Sequence, residues 1–73
     1  MQILPNAHYR HYKRGTDYRV LCLGVLEANE EPCVVYQSLT DQKIWIRPVS
    51  DFLATVDHEG VQVPRFTYLG QLE

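Results

Sequence analysis

Residues 33–48 read CVVYQSLTDQKIWIRP, and the alternation inside this stretch decides the fold. β-Branched and aromatic residues fill both halves. Thr40-Asp41-Gln42-Lys43 interrupts them as a tight polar turn in which Asp41 can bond its own backbone. The pattern predicts a hairpin with strands over 33–39 and 44–47, the second stopped by Pro48. Leu39 is then expected opposite Ile44, Gln37 opposite Ile46 and Val35 opposite Pro48. On the other face Ser38 meets Trp45 and Tyr36 meets Arg47. Side chains alternate along a strand, so the two sets cannot share a face. If the isoleucine face is the core, Tyr36, Trp45 and Arg47 are displayed together, a composition common at binding surfaces. Arg47 can lie over Tyr36 as a cation–π contact. The alternative is structural: the indole of so small a domain can instead seal its end, and Gln37 sits awkwardly in the proposed core face.

Upstream, Tyr18–Glu27 is the longest strand candidate and is apolar on both faces, with Gly24 permitting a bend. Ala28–Pro32 is a polar loop. A hairpin here sets Cys33 opposite Leu26 and Cys22 opposite Gln37. The two cysteines are then too far out of register for a disulfide and read as reduced, buried thiols. Downstream, Ser50 is a plausible N-cap for one helical turn through Asp51, Phe52 and Leu53. Thr55–Val56 and Val61–Val63 form a hairpin around His58-Glu59-Gly60. Matching apolar to apolar pairs Val56 with Val63 and Asp57 with Gln62. Residues 9–13 are β-compatible but irregular, and 64–69 can add a last edge strand.

Five or six short strands, one helical turn and no long helix define an all-β fold. At 73 residues the expected version is one SH3-like barrel domain over 1–73, curled to remove exposed edges. The formal charge is −2, which does not suggest a general nucleic-acid binder. The charge is uneven, however: residues 1–20 carry an excess of three positive charges and the remainder an excess of five negative ones. No export signal or membrane span is visible, so the cytoplasm is the expected location.

His8-Tyr9-Arg10-His11-Tyr12-Lys13-Arg14 interleaves rings and cations, as single-stranded nucleic-acid binders do; such tyrosines can equally cover a core. Arg65, between Pro64 and Phe66, is a candidate anion contact, with a surface salt bridge as the alternative. His8, His11 and His58 show no metal-ligand spacing, no glycine-rich phosphate loop is present, and no catalytic residue or cofactor is indicated. An enzymatic reading would need His11 beside a carboxylate in a cleft.

Tyr9-Arg10-His11-Tyr12-Lys13, Val34-Val35-Tyr36, Trp45-Ile46-Arg47-Pro48, Phe52 and Pro64-Arg65-Phe66 together resemble a small bacterial family known as domain of unknown function 1653. The likeness covers roughly residues 9–68. It implies a small stand-alone domain with no established activity, substrate or cofactor. The short acidic Glu27–Pro32 loop departs from the family pattern. The expected binding residues are Tyr36, Trp45, Arg47, Arg65, His11, Tyr9 and Arg10. They would serve a protein segment or a small anionic ligand, or alternatively RNA or single-stranded DNA.

Overall fold

Tyr18 and Val20 on one strand and Val34 and Tyr36 on the next are buried, while the residues between them are not. That period of two is what a sheet with one covered face requires. In the computed structural model, which describes residues 3–72, seven strands and one helical turn follow in order. They are β1 (Ala7–His11), β2 (Asp17–Leu26), β3 (Glu31–Ser38), β4 (Ile44–Pro48), α1 (Val49–Phe52), β5 (Thr55–His58), β6 (Val61–Pro64) and β7 (Phe66–Gln71). Residues 1, 2 and 73 of the expected domain lie outside the described part. No described helix is long and apolar enough to cross a membrane.

The protein is mainly β, but it does not close. Five strands form an antiparallel sheet in the order β4-β3-β2-β1-β7, and β5 and β6 form a separate two-stranded sheet. The SH3-like barrel expected from chain length is therefore corrected to an open sheet with β4 and β7 as its edges. The gap between those edges is filled by α1 and by aromatic side chains rather than by a further ladder. Phe52 of α1 stacks on Phe66 of β7, with ring centroids 4.3 Å apart and planes at 10°. Tyr9, Tyr18 and Tyr36 meet these rings edge-on, the arrangement that ring quadrupoles favour. Ile3, Ala7, Val20 and Val34 complete the core, with Val49 packed against it.

The face of the central hairpin is inverted relative to expectation. Ile44 and Ile46 are 55% and 66% exposed, whereas Tyr36 is buried. Large rings remove more apolar surface from water than isoleucines do, so the aromatic face wins the interior. The β3–β4 register also differs: Gln37 pairs with Ile44, Tyr36 with Trp45, Val35 with Ile46 and Val34 with Arg47. Ser38 causes the slip. Its hydroxyl accepts the N–H groups of Thr40 (3.2 Å) and Asp41 (3.4 Å), drawing Leu39 into the turn. Gln42 completes that turn at φ 64°. A slip of two preserves which residues share a face.

The β2–β3 hairpin pairs Leu26 with Glu31 and Gly24 with Cys33, and a bulge interrupts it between Val20 and Cys22. Both cysteines are free; Cys33 is buried, but Cys22 is exposed, against expectation. The last hairpin has the register expected, Val56 with Val63 and Asp57 with Gln62. The helical turn begins after Pro48, and Ser50 lies inside it rather than capping it.

Candidate functional site

Five strands bring one group of side chains together. His11 at the end of β1, Tyr18 of β2, Tyr36 of β3, Trp45 and Arg47 of β4, Phe66 of β7 and Arg14 of the β1–β2 turn line a pocket of about 80 Å³. Inward pleating of Tyr36 sets its cross-strand partner Trp45 on the same side, and Arg47 follows two residues on. Trp45 remains 39% exposed, so the indole is neither sealed in the core nor displayed on an outer face; it forms a wall at the sheet edge.

Every polar side chain on this lining can donate a hydrogen bond, and none is a carboxylate. Arg47 is held from behind. Its Nε donates to the Tyr36 hydroxyl at 3.3 Å and its Nη1 to Asp51 at 2.6 Å. Partial burial works against its charge, but the hydroxyl and the carboxylate outweigh it and hold the pKa above the ordinary arginine value. Its cation–π partner is Phe66, 5.8 Å from the ring centroid, and not Tyr36. Arg65 approaches the same Asp51 at 3.6 Å, and its Nε is buried with no protein acceptor. Asp51 thus shares one negative charge between two guanidinium groups, leaving the cluster net positive.

His11 senses that field. Burial first, and then Arg14, Arg47, Arg65 and Lys13, push its pKa below the ordinary 6.5. Its Nδ1 faces the backbone N–H groups of Lys13 (3.2 Å) and Arg14 (3.3 Å), so it is an acceptor and the neutral ring carries its proton on Nε2. The ring packs edge-on against Phe66 at 5.2 Å. Its described hydrogen bonds include no carboxylate.

Of the expected site residues, His11, Tyr36, Trp45 and Arg47 meet in the pocket, and Arg65 reaches it only through Asp51. Tyr9 is buried in the core, where burial and then Tyr68 raise its pKa. Arg10 lies on the opposite face of the sheet, bonded through Nε to Asp17 at 2.6 Å. The interleaved basic segment is therefore split across two faces. Arg14, Tyr18 and Phe66 also line the pocket and were not among the expected binding residues; for Arg14 the available signal was its place in the basic segment just after His11. A second depression of about 280 Å³, lined by Tyr9, Leu53, Thr55, Pro64, Phe66, Thr67 and Tyr68, carries no charged group.

Fold and pocket together define a small, mainly-β domain with an open sheet and a donor-lined, electropositive recess at one edge. A family model described as "Protein of unknown function (DUF1653)" matches residues 7–68, and the chain belongs to that family. A solved relative, the crystal structure of a DUF1653 protein from Bordetella bronchiseptica, is 32% identical and has a TM-score of 0.82. The match covers 99% of this chain and 94% of that one. No curated protein matches the sequence.

Proposed function

We propose that the domain is a binding module whose pocket takes a small anionic group. The observation that carries this reading is the lining itself: Arg14, Arg47, His11 and Trp45 share it with no carboxylate among them. Charge-assisted hydrogen bonds from guanidinium groups are the strong ones in such a setting. A recess of about 80 Å³ suits a carboxylate or phosphate group and is well below the ~300 Å³ at which drug-sized ligand sites begin. An intact nucleoside is disfavoured on that ground, and a nucleic-acid track has no continuous basic face to follow.

Trp45 is the single tryptophan and reports on the pocket directly. Titration with inorganic phosphate or acetate should give a saturable change in its fluorescence. Arg14→Gln, which removes a turn cation without touching the core, should weaken that response by about tenfold, or ~1.4 kcal/mol. No saturable change at low salt, or full retention in Arg14→Gln, would overturn the reading. Tight binding of an RNA or single-stranded DNA oligonucleotide with a steep salt dependence would favour the nucleic-acid class instead.

A further inference from the structure

The pocket opens beside a sheet edge that has its own unspent chemistry. The N–H of Ser38 donates to the carbonyl of Lys43 at 2.9 Å, which makes that pair a hydrogen-bonded one. Antiparallel ladders alternate, so Tyr36–Trp45 and Val34–Arg47 are also hydrogen-bonded pairs. The N–H and C=O groups of Ile44 and Ile46 therefore point away from β3, along the open edge. Pro48, which has no N–H, falls at another outward-facing position and costs the ladder nothing. Trp45 and Arg47 turn their side chains into the pocket, whereas Ile44 and Ile46 hold theirs on the outer face.

We infer that β4 accepts an extended peptide strand, and that an acidic side chain on that strand enters the pocket. This rests on the anion reading given above. An added strand pairs with the free backbone groups of Ile44 and Ile46, the mode known as β-augmentation. Its inward side chains come to lie beside Trp45 and Arg47, and its outward ones beside the two isoleucines. The matching partner is a segment with one acidic residue between two apolar ones. A free anion would satisfy the pocket but leave Ile44 and Ile46 more than half exposed. A second copy of the chain fits less well: β7, the other edge of the five-stranded sheet, contains no acidic residue, and the Asp57 of β5 is flanked by Val56 and His58 rather than by two apolar residues. Pairing β4 with itself would bring Arg47 and its neighbouring cations towards their own images.

The probes are a capped octapeptide with one Glu between two Val in a Ser/Thr background, its Glu-to-Gln counterpart, and inorganic phosphate. Trp45 fluorescence and the amide chemical shifts of Ile44 and Ile46 are the readouts. The Glu peptide should bind at least tenfold more tightly than phosphate and at least tenfold more tightly than the Gln peptide. Ile46→Pro removes an outward N–H and no ladder bond. It should therefore lose the peptide by at least tenfold while phosphate binding persists. Should that variant fail to fold, the Glu peptide N-methylated on its edge-facing residues makes the same test without altering the protein. Phosphate binding with no preference for the Glu peptide overturns strand addition and leaves the pocket reading standing. Equal binding of Glu and Gln peptides overturns delivery of an acid, and the anion reading falls with it only where phosphate also fails to bind. Self-association abolished by Ile46→Pro would overturn the proposal in favour of a second copy.

Discussion

Asp17 opens β2 and ties two neighbouring side chains to itself. Arg10 donates to both of its carboxylate oxygens, and His8 approaches at 2.9 Å. The bonded guanidinium lowers the Asp17 pKa most, burial opposes it, and His8 adds to the lowering, so the carboxyl titrates at about 2 instead of 3.8. A carboxylate held below its unfolded value stabilises the fold above that value and loses the contribution as pH falls. The acid limb between pH 4 and 2 should therefore be shallower in Asp17→Asn, measured by chemical denaturation. An unchanged slope would mean the contacts do not form. His11 obeys the opposite charge logic. Its proton-bound form is disfavoured by burial and by cations, so a bound anion should move its NMR titration midpoint upward. Phosphate that leaves this midpoint fixed does not occupy the pocket.

At the scale of elements, turns set registers. The β5–β6 hairpin closes through Glu59 (φ 54°) and Gly60 (φ 80°), the paired positive angles of a type I′ turn. Nothing lies within 4 Å of where a Cβ would sit on Gly60, so Gly60→Ala meets only backbone strain. A loss of about 1 kcal/mol is expected, read as a lower denaturant midpoint at unchanged slope. This hairpin was legible because both strands pair valine with valine. The central one was legible only in part. Its two side-chain sets were assigned correctly, but a serine hydroxyl moved the register and the aromatic residues took the interior. Aliphatic content on Ile44 and Ile46 argued for the wrong face because the burying partners, Phe52 and Phe66, lie outside the hairpin itself. Convergence of His11 and Arg14 on the same spot depends on the β1–β2 turn, which local spacing does not locate.

At the scale of the whole molecule, stability and exposure are set by which face the rings claim. Phe52 is almost fully buried and stacked on Phe66. Phe52→Ala should cost about 3–5 kcal/mol, enough to unfold much of a domain whose total is of order 5 kcal/mol. Ile46→Lys, by contrast, should leave stability within about 0.5 kcal/mol of the parent, because the side chain stands in water. Thermal melts of the pair check the inversion. Equal destabilisation would place the isoleucine face back inside.

The β2–β3 hairpin runs on past the region that α1 and the rings cover. Val25 and Leu26 near its tip are 67% and 46% exposed, and Gly24 adds no side chain to hold it. Its distal amides should open without the rest of the sheet, exchanging with solvent deuterium well ahead of those at Tyr18, Val20 and Tyr36. The protein then has a slow-exchanging end, where the recess lies, and a breathing arm that can bend or be clipped by a protease while the recess keeps its shape.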